Sequence, residues 1–269
     1  MVKELKVIED KTAFVTVKHL SAKELNKLEL DMPSLEEQEL RANSLVNIEK
    51  IISLRKEEIR QLDNLIKARF VEMFGDPVSN SFGLPEATLS ELGEFGRGVS
   101  KHRPRNDPEL LGGEYPLIQT GDVANAGLYI TSYNSTYSEL GLKQSKMWDK
   151  GTLCITIAAN IAKTAILEFD ACFPDSIVGF VSYGQVEAVY MHYWFDFFQK
   201  ILESQAPQVA QKNINLKILS NLNVIVPNIE QQQKFLIFVN KIEEQKLTIQ
   251  QSLDKLEVLK KALMQEYFG

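Results

Sequence analysis

Two stretches of this chain repeat apolar residues in alternating steps of three and four. The first runs through Leu45, Ile48, Ile52, Ile59, Leu62, Ile66 and Met73, and the second through Val239, Ile242, Ile249, Leu253, Leu256, Leu263 and Tyr267. Such spacing keeps one helix face apolar and marks a coiled-coil seam. Four beats are basic instead: Arg55 and Arg69 in the first stretch, Lys246 and Lys260 in the second. Long basic side chains can still cover a seam with their stems. No Pro or Gly interrupts residues 35–74, and Glu36, Glu37 and Glu39 place negative charge where a helix N-terminus favours it. The pattern predicts two long helices, 35–75 and 228–269, forming an antiparallel coiled coil. At 1.5 Å per residue each is a rod of about 60 Å.

The two helices are copies. With one constant offset, Pro33-Ser-Leu-Glu36-Glu-Gln38 falls on Pro227-Asn-Ile-Glu230-Gln-Gln232, and Ala68 to Gly75 falls on Ala262 to Gly269. The register reaches back to Lys18, Lys23, Leu25 and Leu28, which match Lys212, Lys217, Leu219 and Leu222. Where one copy is charged the other is aliphatic: Arg55 matches Ile249, Arg69 matches Leu263, Lys246 matches Ile52 and Lys260 matches Ile66. This asymmetry suits two different helices pairing with each other, within one chain or between two. In residues 1–34 an alternating Ala13–Val17, a short helix near Ser21–Leu25 and a strand-like Leu28–Met32 make up the closing piece of another domain, matched by a helix at Asn215–Ser220 and a strand at Leu222–Val226.

Between the copies the period changes. Strands are expected at Tyr115–Thr120, Thr152–Ala158, Lys163–Phe169 and Ile177–Ser182, with Gly-Asp, Asp-Lys-Gly and Pro-Asp-Ser turns between them. Thr88–Phe95 fits either a short helix or a strand. Val186–Ser204 is apolar and aromatic nearly all round, which predicts a buried helix whose rings are core. The fold class is α+β: one mixed α/β domain, residues 76–227, flanked by the two long helices.

Composition adds two constraints. The chain has 269 residues, 44% hydrophobic and 25% charged, no apolar run long enough to cross a bilayer and a charged N-terminus without a signal-peptide core, which reads as cytoplasmic. Its two cysteines, Cys154 and Cys172, sit in strand-like contexts and read as buried thiols. Net charge is −6, and residues 76–206 carry nine basic side chains against sixteen acidic ones. A nucleic-acid contact there must come from a local patch and from hydrogen bonding, since no general positive field exists.

One such patch is present. Between Glu94 and Asp107 there is no acid, and the stretch holds Arg97, Lys101, His102, Arg103 and Arg105 among glycine and proline. A loop of this kind can touch phosphates while one arginine reaches a guanine edge. A second set is polar and loop-borne: Gln119, Thr120, Gln144, Lys146, Asn160, Lys163, Gln208, Lys212 and Asn213. Gln and Asn can read adenine with two hydrogen bonds in the major groove. Catalytic chemistry is not legible. Gly93, Gly96 and Gly98 lack phosphate-binding order, His19, His102 and His192 lack metal spacing, and no Asn-Pro-Pro or Asp-Pro-Pro tetrapeptide of an amino-methyltransferase occurs. Asp175 follows Pro174 without the downstream acid and lysine of a nuclease, and reads as a turn residue.

Taken together, the Pro-Ser-Leu-Glu-Glu-Gln and Pro-Asn-Ile-Glu-Gln-Gln helix openings, the helix-ending Phe74-Gly75-Asp76-Pro77 and the segments 112–123, 150–158 and 174–179 resemble the specificity (S) subunits of type I restriction-modification systems. The resemblance covers essentially the whole chain and is to a half-length form with one complete target-recognition domain. It implies that residues 1–34 are the tail of a truncated recognition domain, and that the chain is a non-catalytic reader of one half of a bipartite site in double-stranded DNA. It further implies scaffolding of a DNA adenine methyltransferase (M) subunit and a restriction (R) subunit. S-adenosylmethionine, ATP and magnesium would serve those partners, with no cofactor on this chain. Two half-subunits would associate, giving a two-fold reader. The rival is a coiled-coil adaptor for another protein, or an inactive remnant of a full-length S subunit, and the acidic middle domain and the 1–34 tail favour it.

Overall fold

The computed structural model describes residues 32–158, 161–198, 200–201 and 215–268. The elements expected in residues 1–31 lie outside that set. In chain order the described elements begin with α1 (Leu35–Phe74), β1 (Glu86–Thr88), α2 (Leu89–Leu92), β2 (Gly93–Arg97) and a 3-10 turn at Pro108–Leu110. There follow β3 (Leu111–Leu117), α3 (Thr120–Asn125), β4 (Tyr129–Ile130), β5 (Ser135–Tyr137), α4 (Glu139–Lys143) and β6 (Met147–Trp148). The rest are β7 (Leu153–Thr156), β8 (Thr164–Leu167), β9 (Ala171–Cys172), β10 (Ile177–Ser182), α5 (Ala188–Phe195), α6 (Leu216–Ser220), β11 (Asn223–Ile225) and α7 (Ile229–Phe268). Packing divides the chain into two compact units: the paired helix segments up to Leu65 and from Lys241, and Ile66–Asn240.

In the helical unit α1 and α7 run antiparallel within one chain. Lys260 Nζ bonds Glu49 Oε1 at 2.8 Å, Lys246 Nζ bonds Asp63 Oδ1 at 2.8 Å, and Arg41 Nη1 donates to the Tyr267 carbonyl at 3.0 Å. Ile48, Ile52 and Leu253 are buried in the seam, with Ile59, Leu256 and Leu263 packed against them. The basic beats behave unequally. Arg55 turns back to Glu58 on its own helix, whereas both lysines cross to acids of the other. The expected asymmetry is therefore an exchange of lysines on α7 for carboxylates on α1.

The second unit holds the sheets. A five-stranded sheet has the order β2-β10-β7-β8-β4, a four-stranded sheet β5-β3-β9-β6, and β1 pairs with β11. All neighbours are antiparallel except β3 with β9 and β4 with β8. Ile118, Val123, Trp148, Cys154, Ala165, Leu167, Phe173 and Ile177 form one buried core between them. Trp148 stacks on Phe173 at 5.2 Å. The last turns of α1 carry Phe70 and Phe74 into a second, aromatic core with Tyr190 and Phe235. Gly75, at φ 76°, ends that helix in the left-handed region that glycine enters without strain.

Several expected strands are shorter or displaced. The strand expected at Tyr115–Thr120 is β3, Leu111–Leu117; Thr120 instead opens α3, because the Asp122 carboxylate accepts the Gln119 N–H at 2.8 Å and caps a helix there. The helix expected over Val186–Ser204 is interrupted after α5, where the Asp196 N–H turns back to the carbonyls of Tyr193 and Trp194, and helical backbone resumes at Phe198, Lys200 and Ile201. Phe198 and Ile201 are nonetheless buried, as their apolar character requires.

Burial works against charge on Lys246, but its bonds to Asp63 and Glu243 outweigh it and raise the ammonium above its ordinary 10.5. A group whose pKa rises on folding stabilises the fold below its unfolded value, so this contribution is complete at neutral pH and lost above 10.5. Lys246→Met is expected to lower stability by about 1 kcal/mol at pH 7, with Asp63→Asn less than additive to it. Urea denaturation of the single and double variants measures both.

Candidate nucleic-acid interface

Strand register gathers Arg97, Lys101, His102, Arg103, Arg105 and Lys163 at one end of the five-stranded sheet. Arg97, the last residue of β2, stands opposite Val178; Ile177, the first of β10, stands opposite Thr156, the last of β7; and Ile155 stands opposite Thr164, the first of β8. Among the described residues, the chain therefore leaves the same sheet end at 98–107, at 157–158 and 161–163, and at 174–176. Backbone bonds tie these segments together: Gly98 N to Ile177 O at 2.9 Å, Ile157 N to Ser176 O at 3.0 Å and Thr156 N to Lys163 O at 2.9 Å. Gly98 lies so close to the next segment that a Cβ there would meet the Phe173 carbonyl at 2.1 Å and the Pro174 carbonyl at 2.5 Å. Only glycine admits that approach.

The basic loop is held from outside by the α4 C-terminus. Gln144 Oε1 accepts from Lys101 N at 2.7 Å and His102 N at 3.0 Å, and Ser145 Oγ donates to the Val99 carbonyl at 2.8 Å. Gln144 Nε2 is buried without a hydrogen-bond partner among the described residues. This side chain is aimed at the loop backbone.

Within the loop the cations are unequally free. Arg103 folds back on the carbonyls of Ser100 and His102 at 2.6 and 2.8 Å, and the bond to Pro104 that follows it is cis. His102 Nε2 meets Asp107 Oδ2 at 2.9 Å, and the Glu109 N–H together with that imidazole holds the Asp107 carboxyl below its ordinary value. Arg105 Nη2 bonds Asp175 Oδ1 at 2.6 Å. Lys146 Nζ sits 3.7 Å from the Trp148 ring centroid and 3.9 Å from Glu94. Arg97 and Lys101 are exposed and have no ion-pair partner among the described residues.

Of the polar set, Lys163 stands at the same sheet end, exposed. Gln119 and Thr120 follow β3, which runs parallel to β9 with Leu117 opposite Cys172, so they leave the four-stranded sheet in the direction taken by Phe173 and Pro174. Beside them an open polar cavity of about 270 Å³ is lined by Gly121, Asp122, Asn125, Tyr129, Thr131, Ser132 and Asn134 among others. Asn160, Gln208, Lys212 and Asn213 lie outside the described residues. Sequence reasoning missed Asp175 as the partner of Arg105, Trp148 as the platform under Lys146, and the exposed Lys143 in the last turn of α4. Only Lys143 had a signal, its place beside Gln144.

Among the described residues no group of three His, Cys, Asp or Glu could hold a metal ion. Burial pushes the Cys154 and Cys172 thiols up, away from nucleophilic thiolate.

Comparison with known proteins adds three kinds of likeness. The family model for the type I restriction modification DNA specificity domain matches residues 86–259. The chain is similar to the Type I restriction enzyme EcoBI specificity subunit of Escherichia coli, 24% identical over 272 residues that cover 89% of this chain and 56% of the relative. It thus spans about half the length of that relative. Among solved structures it is similar in fold to the HsdS subunit from Thermoanaerobacter tengcongensis, with TM-score 0.55, 17% identity, and 98% of this chain and 67% of the other covered. The type I restriction-modification S subunit from M. genitalium gives TM-score 0.59 at 16% identity, covering 100% and 70%. A chain from a study of assembly and conformational transition of the type I R-M system gives 0.64 at 16%, covering 98% and 67%.

Gln144→Ala should release the loop while leaving the fold intact. Each lost bond is worth about 1 kcal/mol, so exchange of the Lys101 and His102 amides should quicken by roughly fivefold, read by NMR hydrogen exchange.

Proposed function

This chain belongs to the type I restriction-modification DNA specificity family, and on that premise we propose that it is the non-catalytic subunit that reads one half of a bipartite sequence in double-stranded DNA. The observation that carries the reading is the convergence of Arg97, Lys101, Arg103, Arg105 and Lys163 at one sheet end of an otherwise acidic domain. Arg97 and Lys101, whose side chains have no ion-pair partner among the described residues, are the phosphate contacts. Residues 76–227 are the recognition domain, and the helices 35–75 and 228–269 are the spacer and docking rods.

In this reading the chain assembles with a DNA adenine methyltransferase subunit and a restriction subunit in the cytoplasm. Those partners would use S-adenosylmethionine, ATP and magnesium. Two copies associate so that two recognition domains address a palindromic site, with the rods setting the gap between half-sites. Among the described residues no helix is long and apolar enough to cross a membrane. The adaptor reading draws its support from the acidic balance of the middle domain, nine basic against sixteen acidic side chains over 76–206.

Exchanging residues 76–227 for another recognition domain should change the methylated motif of cells expressing the chain with its methyltransferase partner, and leave co-purification intact. An unchanged motif would sink the reading and favour the adaptor. In the same complex, Arg97→Ala and Lys101→Ala should each weaken binding to the mapped duplex and lower the salt slope by about one.

A further inference from the structure

We infer that Asp175 is a specificity-determining positioning residue, which holds the Arg105 guanidinium in place to read a guanine edge. The inference rests on the reading of this sheet end as the DNA-facing surface. Arg105 and Asp175 come from different segments, the basic loop and the turn between β9 and β10, and meet at 2.6 Å through Nη2 and Oδ1. The two side chains are 45% and 39% exposed, so this is a surface pair and the rest of the guanidinium fork is open. A guanidinium has five N–H donors, and the fork that matches guanine O6 and N7 needs only two of them.

Both anchors of the pair are fixed independently of it. Gln144 and Ser145 pin the loop backbone at Val99, Lys101 and His102. The turn is closed by Ile177 N to Pro174 O at 3.0 Å and tied to β7 through Ser176 O, while Gly98 lies against Phe173 and Pro174. Arg105 is therefore oriented before any ligand arrives, and the rotamer freedom that a long arginine loses on binding is already spent.

The sign of the charge sharpens the assignment. A carboxylate facing a polyanion repels it, so Asp175 weakens any sequence-independent contact made there. It also restrains Arg105 from closing on a phosphate, which Arg97 and Lys101 remain free to do. An acid in that place improves discrimination between bases at a cost in affinity for all DNA. A pair this exposed contributes little to the stability of the fold, which separates the positioning role from a structural one.

The test uses the full chain expressed with its methyltransferase partner, and maps methylated adenines across the host genome for wild type, Arg105→Ala, Asp175→Ala and Asp175→Asn. Arg105→Ala should lose the preference for guanine at one motif position. The two Asp175 variants should relax that same position by roughly tenfold, leaving the other positions, the half-site spacing and thermal melting unchanged. Methylation motifs identical to wild type in the Asp175 variants, or a loss spread evenly over all positions, overturn the inference while the DNA reading stands. A wild type that yields no motif overturns the DNA reading, and the inference with it.

Discussion

Four rings, Phe70, Phe74, Tyr190 and Phe235, close the compact unit at the point where the chain enters and leaves it. Each is fully buried, and their centroids lie between 5.0 and 5.6 Å apart in stacked and edge-on contacts. They come from the last turns of α1, from α5 and from the first turns of α7, elements distant in sequence. The Tyr190 hydroxyl donates to the Ile225 carbonyl at 2.7 Å, which ties β11 to the same cluster. Beside it Gln232, also buried, accepts from Glu187 N and donates to the carbonyls of Pro227 and Gln185. A domain whose two ends are locked this way presents its far loops from a rigid base, which is what a reader of sequence needs.

The electrostatics of the domain decide how such a reader can work. With an excess of acids it has no field to draw DNA in, and most cations of the basic loop are already committed: Arg103 to its own carbonyls, His102 to Asp107 and Arg105 to Asp175. Two charges of the loop, Arg97 and Lys101, have no ion-pair partner among the described residues, and stand beside a set of pre-oriented donors. On the proposed DNA reading, recognition by such a surface would lean on hydrogen-bond geometry over charge, and non-specific binding would be correspondingly weak.

The periodic elements were legible in the sequence because they report local rules. The seam positions Ile48, Ile52 and Leu253 are buried together, and α1 and α7 end within a residue or two of where Gly75 and the repeat placed them. Strand β10 matches its expected span. The two-residue strands β4, β6 and β9 carry no period at all and were missed. Their pairing depends on partners far along the chain. The site divides in the same way: the basic loop stood out by composition, whereas Gln144 as its peg and Asp175 as the partner of Arg105 required the fold, since their partners lie 43 and 70 residues away.

The repeated helix shows the boundary most clearly. Its sequence alone determined two long amphipathic rods with the same opening, and the same local bond is made in both: Gln38 Nε2 to the Pro33 carbonyl at 2.7 Å and Gln232 Nε2 to the Pro227 carbonyl at 2.9 Å. Yet matched residues meet different fates. Phe74 is fully buried while its counterpart Phe268 is 41% exposed, and Gln232 gains partners from the domain that Gln38 does not have among the described residues. Hydrogen bonding within a turn and the period of a helix are properties of neighbouring residues, so the sequence specifies them directly. Burial, ion pairing between α1 and α7 and the assembly of the sheet end are contacts between distant segments, and only the closed tertiary structure chooses them.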